Sequence, residues 1–138
     1  MSDIDRVAEL YASAVFSKDE QAFLALYDEN VVVFDAWEEW LYRGRQAWSG
    51  MVRGWFGGLG EERVRVTFAP IYCHIENDAA IWCANVRYAG LSAADEELNA
   101  IENRLSWGLR RHEGRWRIVH EHTSAPADFK THKLKLPT

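Results

Sequence analysis

From Glu62 to Thr123 the chain is four strand-length runs in succession, divided only by short polar turns, whereas nearly everything before it carries helical periodicity. Glu62 to Ile75 alternates around Val64, Val66 and Phe68, and Glu76-Asn77-Asp78 turns it into a second run, Ala79 to Leu91. Ser92 to Glu97 is a polar connection to a third run, Leu98 to Arg111. His112-Glu113-Gly114 then turns into the fourth, Arg115 to Thr123. Ahead of these, Ile4, Val7, Ala8, Tyr11, Ala14 and Val15 predict an amphipathic helix, with Ser2 or Asp3 placed to cap it. Phe23, Leu26 and Tyr27 predict a short second helix, ended by Asp28-Glu29-Asn30 and forming a hairpin with the first. Val31 to Asp35 predicts a strand, Trp37 to Tyr42 an aromatic loop and Arg43-Gly44 a turn. Trp48, Met51, Val52, Trp55 and Phe56 predict a third helix, stopped by Gly57-Gly58. Helices grouped early and long antiparallel strands grouped late argue for an α+β fold, with the helices on one face of a curved sheet. Residues 1–126 read as a single domain and 127–138 as a poorly packed tail or a partner-binding arm.

At 138 residues one core suffices, burying roughly two-thirds of the surface of the unfolded chain. No apolar run approaches the ~18 residues that span a bilayer, and no secretory leader is read at the start. A net charge of −5 with scattered Lys and Arg disfavours a non-specific nucleic-acid binder; Lys130, Lys133 and Lys135 in the tail are the one local basic excess. Cys73 and Cys83 lie in apolar runs without metal-ligand spacing, which predicts buried free thiols and a cytoplasmic location. Seven tryptophans are more than a core of this size needs, so some are expected to line a cavity or a subunit interface.

The densest chemistry is in EGRWRIVHEHTSAP, residues 113–126. Strand alternation places Val119, Glu121 and Thr123 on one face and Ile118, His120, His122 and Ser124 on the other. Two imidazoles two apart on a strand can share an ion, but no third ligand stands at a matching spacing, so no metal is assigned. Gly57-Gly58-x-Gly60 follows a helix instead of a strand and reads as a stop and turn, so no nucleotide cofactor is implied.

The element order, together with FDAWEEW, RGRQAW, Arg104 ten residues before Gly114, and GRWRIVHEHTSAP, resembles the nuclear-transport-factor-2-like superfamily over residues 3–126. Within it the chain looks most like SnoaL-like and ketosteroid-isomerase-like proteins, and it is also similar to the association domain of calcium/calmodulin-dependent protein kinase II, which carries a similar VHxHxSxAP ending. The resemblance implies a cone-shaped, strongly bent antiparallel sheet around the helices, open at one end, paired through its convex face into a homodimer. Such a scaffold serves several enzymes and pure assembly modules alike, so function must be argued from the pocket. By the same resemblance Thr123 points into the cavity, with Glu121 and Val119 beside it. It also puts Trp82, Ala84, Val86 and Tyr88 inward on one strand and Asn103, Leu105 and Trp107 inward on the next. Arg104, Ser106, His120 and His122 then face outward, toward a dimer partner. A β-bulge would shift this parity by one.

The pocket so framed, by Trp37, Trp40, Trp48, Trp55, Trp82, Tyr88, Asn103, Trp107 and Thr123, suits a small hydrophobic molecule. Asp35 and Glu121 are the candidate catalytic pair: desolvation and a second nearby carboxylate both raise a carboxyl pKa, as isomerase or dehydratase chemistry needs. The competing structural reading has Asp35 accepting from a Trp indole or an Arg, and Glu121 paired with an Arg on the neighbouring strand. The competing functional reading is a non-catalytic association module, in which outward histidines build a pH-sensitive subunit contact. An open, dry pocket with two inward carboxylates would favour the first function, and a filled cone the second.

Overall fold

Ser2 opens the first helix through a reciprocal capping box: its hydroxyl accepts from the Asp5 amide at 3.1 Å, and the Asp5 carboxylate accepts from the Ser2 amide at 3.0 Å. The computed structural model describes residues 2–137. Helix α1 is Asp3–Ser17, and its apolar positions from Ile4 to Val15 are buried as the spacing predicts. Helix α2, Glu20–Leu24, starts from an Asp19 cap and is shorter than expected. Leu26 and Tyr27 leave it, and Tyr27 begins strand β1, Tyr27–Phe34. A two-residue strand β2, Tyr42–Arg43, replaces part of the expected loop and turn. Gly44, at φ 88°, then starts helix α3, Arg45–Gly58. That helix runs through Gly57 and Gly58 and is capped at Leu59, so the two glycines do not stop it.

Four long strands follow: β3 Arg63–Glu76, β4 Ala79–Leu91, β5 Glu97–His112 and β6 Arg115–Ser124. The β5–β6 hairpin turns on Glu113 (φ 52°) and Gly114 (φ 76°); two consecutive positive φ angles match the twist of the flanking strands. The sheet runs β2-β1-β6-β5-β4-β3, with β1 parallel to β6 and the other pairs antiparallel. It curls around α1, which lies on β3 and β6, and α3, which lies on β1 and β2, and it does not close.

One register shift corrects the expected face of β6. Gly108 pairs with His120, yet Leu109 pairs with Ile118, so Val119 is a bulge. Ile118, not Val119, therefore shares the inner face with Glu121 and Thr123; Ile118 is buried and Val119 only half-buried. Cys73 is exposed and Cys83 half-buried, both free, so the expectation of two buried thiols fails for Cys73 and is met only in part for Cys83. Cys73 faces inward opposite Trp82, but on a length of β3 that runs beyond the packed core.

The tail is mostly exposed and bonds chiefly to itself. Ala127 bridges Leu134, the Lys135 amide donates to Pro126 O at 2.7 Å, and the Asp128 carboxylate accepts from the amides of Lys130 and Thr131. Residues 127–135 thus fold back as a small loop.

Candidate functional site

Aromatic rings, not empty space, occupy the inside of the curl. Trp82 and Trp107 stack at 4.9 Å, and Tyr11, Phe23 and Phe68 meet them or one another edge-on or tilted at 4.8–5.7 Å. Trp48, Trp82 and Trp107 are each at most 2% exposed, so these three serve the core; an open pocket lined by them is not what the packing shows. Trp55 is half-buried against Phe23 and Tyr88.

Within this packing stands one carboxyl group. Glu121 is 1% exposed, and its Oε1 accepts from Tyr27 Oη at 2.5 Å and from Trp107 Nε1 at 2.9 Å. The partner is therefore an indole and a phenol, not an arginine. Burial pushes the Glu121 carboxyl up to about 7; the two hydrogen bonds favour the charged form and oppose the rise, while the negative field of Asp35 adds to it. Beside it the hydroxyls of Tyr11 and Tyr88 lie 2.9 Å apart, and burial holds Tyr11, Tyr27 and Tyr88 protonated.

Asp35 sits just past the end of β1. Its Oδ1 accepts from Thr123 Oγ1 at 2.9 Å, and that hydroxyl accepts in turn from the Ala36 amide at 2.9 Å. Burial raises the Asp35 carboxyl above its ordinary range, and the Thr123 hydroxyl and the amides of Trp37 and Ala36 partly offset this. A cavity of about 440 Å³ opens here, lined by Phe34, Asp35, Trp37, Trp40, His122 and Thr123, with Glu38 and Glu39 on the same loop. Trp40 is 92% exposed and Trp37 37%, so both stand at the rim.

The structure thus separates the predicted residues into groups. Asp35, Trp37, Trp40 and Thr123 meet at the mouth. Glu121 and Trp107 meet in the interior, with Trp82 and Trp48 in the surrounding core and Tyr88 and Trp55 at its margin. Asn103 is buried elsewhere on the inner face of β5, opposite Val86, and its Oδ1 has no hydrogen-bond partner among the described residues.

Arg104, Ser106, His120 and His122 face outward. His120 Nδ1 donates to Val32 O at 2.7 Å, and the Phe34 ring meets both imidazoles edge-on at 4.9 and 5.4 Å. Among the described residues no three His, Cys, Asp or Glu side chains are grouped to hold a metal ion, and no helix is long and apolar enough to cross a membrane.

The sequence reading took Tyr11 and Tyr27 as apolar helix positions and gave neither a place beside Glu121. Tyr27 fits the three-and-four spacing after Phe23 and so reads as helical, although it follows Ala25 and Leu26 out of the helix and directs its hydroxyl to Glu121.

A family model described as a SnoaL-like domain matches residues 4–128. No curated protein matches. Among solved structures the chain is similar to an NTF2-like protein of unknown function from Pseudomonas putida, at 26% identity and TM-score 0.80, covering 99% of this chain and 93% of that one. It also resembles a putative calcium/calmodulin dependent protein kinase II association domain from Xanthomonas campestris, at 11% identity and TM-score 0.72, covering 90% and 86%. An NTF2-like protein with a cystatin-like fold from Novosphingobium aromaticivorans matches at 18% identity and TM-score 0.74, covering 88% and 79%.

Proposed function

The chain belongs to the SnoaL-like domain family, and on that premise we propose that it binds a small hydrophobic molecule at the Asp35 mouth and exchanges a proton with it. One observation carries the reading: a desolvated carboxyl group and two rim tryptophans share a cavity of about 440 Å³, within the size range of small-molecule sites. Asp35 is the acid or base that meets the ligand. Thr123 and the Ala36 amide fix its orientation, since the hydroxyl spends its proton on Asp35 and takes the amide proton in return. Glu121 lies behind it as a buried group that changes charge near neutrality, and the negative charge of Asp35 is one of the causes that raise it. Isomerase or dehydratase chemistry is the class this supports, because both need a proton carrier with a pKa brought toward neutrality.

The test is titration of tryptophan fluorescence with flat hydrophobic ligands. Saturable quenching is expected in the wild type, weakened in Trp40→Phe; Asp35→Asn should retain binding within about tenfold while lowering any proton-transfer rate by roughly a hundredfold or more. Absence of quenching by every ligand would refute binding at the mouth.

The outer face supports a second reading, self-association. The register lays Tyr72, Cys83, Ser106, His122 and Phe34 in one row across five strands, and His74, Ile81, Gly108, His120 and Val32 in the next. Small residues at the centre flatten this face, while Tyr72 and Ile81 stand more than half exposed at its side. One similar structure is a putative calcium/calmodulin dependent protein kinase II association domain. Sedimentation is expected to show a homodimer that Ile81→Asp shifts to monomer; a wild type that sediments as monomer at ~100 μM would remove this reading.

A further inference from the structure

The Asp35 mouth carries a charge bias that its hydrophobic rim does not explain. Asp35, Glu38 and Glu39 all line the cavity of about 440 Å³, whereas no lysine or arginine does. Among the described residues none of the three carboxylates is in an ion pair. Arg43, the nearest arginine along the chain, does not offset them. It stands opposite Val32, whose other neighbour is the outward-facing His120, so it belongs to the outer face. Arg45 is engaged elsewhere, donating to Tyr27 O at 3.2 Å. His122 reaches the cavity from the outer side, where its ring meets Phe34. Tyr42 alternates with Arg43 and turns inward, its ring 5.1 Å from that of Trp48. Burial above all raises the Tyr42 hydroxyl, and Asp35, Glu39 and Glu38 each add to the rise, so the fields of the three carboxylates overlap on this side of the loop.

The aromatic groups of the rim are unmatched as well. Trp37 and Trp40 are exposed, and among the described residues neither ring meets another aromatic ring or a guanidinium. A bare indole face is negative and attracts a cation more strongly than a phenol or phenyl ring does. The acids at the mouth are not grouped to hold a metal ion. Bare rings without the acids would accept any flat apolar molecule. Trp37, Glu38, Glu39 and Trp40 are consecutive, so both features belong to one short loop and fit a ligand that is apolar and positively charged together.

We propose that the ligand of the Asp35 mouth is a small hydrophobic organic cation, an amine that is protonated at neutral pH. The inference rests on the reading that this mouth binds a small molecule, and it adds the sign of the charge. The ammonium group lies among Glu38, Glu39 and the indole faces of Trp37 and Trp40, and the carbon skeleton covers the rings. A neutral ligand of the same shape leaves the carboxylates unanswered, and an anionic one is repelled by them.

Nuclear magnetic resonance titration of the full chain with 2-naphthylmethylammonium, 2-naphthylmethanol and 2-naphthoate, at neutral pH and low salt, compares one ring system in three charge states. Saturable shifts of the Trp37 and Trp40 indole N–H signals are expected, with the ammonium bound roughly tenfold tighter than the alcohol and the naphthoate weaker than both. The double variant Glu38→Gln/Glu39→Gln, at two exposed positions, should bring the ammonium to the level of the alcohol. Salt at ~0.5 M should narrow the gap in the wild type, because it screens exposed charges. Trp40→Leu, which keeps an apolar side chain without the ring, should weaken the ammonium more than the alcohol. An alcohol or a naphthoate that saturates as tightly as the ammonium overturns the cation and leaves binding at the mouth standing. A preference for the ammonium that survives both variants overturns it too. If none of the three compounds shifts the two indoles, binding at the mouth fails, and the charge preference falls with it.

Discussion

Glu121→Gln is expected to be more stable than the wild type at pH 8 and slightly less stable at pH 5, so that the two stability curves cross. The folded state holds the Glu121 carboxyl at about 7 against an ordinary value of 4.5. A raised acid pKa means that the folded protein binds the proton more tightly than the unfolded chain. Its stabilising contribution is complete below about pH 4.5, declines as pH rises, and is gone above about 7. At about 1.4 kcal/mol per pH unit that interval amounts to roughly 3 kcal/mol. Glutamine keeps an uncharged acceptor for Tyr27 and Trp107 but adds an amide N–H₂ that needs partners, at a cost of about 1 kcal/mol. The net gain at pH 8 is therefore about 2 kcal/mol, and the deficit at pH 5, where part of the wild-type contribution is already lost, about 0.2 kcal/mol. Urea unfolding from pH 5 to 8.5 measures both. All other titrating groups apart from Asp35 contribute alike to the two proteins, so parallel curves would mean that Glu121 titrates as an ordinary exposed carboxyl.

The same residues show what could be read in advance. Alternation alone put Glu121 and Thr123 on one side of β6 and His120 and His122 on the other, because from His120 onward the strand is regular and paired on both edges. Two residues earlier the alternation misled: the Val119 bulge exchanges Val119 for Ile118, and nothing in the local pattern marks it. The helices, the four long strands and the family were legible because each rests on periodicity or on a local motif. How full the inside is was not. Filling depends on how Tyr11, Phe23, Phe68, Trp82 and Trp107 mesh from five different elements, and ring volume is additive only once their directions are known. Sequence therefore collected six of the seven tryptophans into one pocket, whereas packing sent Trp48, Trp82 and Trp107 to the core and left Trp37 and Trp40 at the rim. Tyr27 was misplaced for a related reason: helical spacing is satisfied by chance over four residues, and only the pairing of Tyr27 with Ile118 fixes it as strand.

Trp107→Ala is expected to cost about 3–5 kcal/mol, as for other fully buried aromatics cut to alanine. The ring is 1% exposed and touches Trp82, Tyr11 and Phe68, so its loss opens a void between β5, β4 and α1 that rigid neighbours cannot close. A second cost is specific to this tryptophan. Its indole is one of two donors to Glu121, and a buried carboxylate loses more from a missing donor than a protonated carboxyl does. The penalty should thus be about 1 kcal/mol larger at pH 8 than at pH 5. Trp82→Ala is the control: Trp82 is equally buried and stacked on the same ring, but its indole donates to Asp5 at 3.3 Å, a group held ionised across that pH range by the Ser2 amide above all. Its penalty should be similar in size and flat with pH. If both variants show the same pH slope, the Trp107 indole does not stabilise the Glu121 charge. The coupling between core packing and a titrating carboxyl would then be lost, and with it the reason for Glu121 to sit behind the Asp35 mouth.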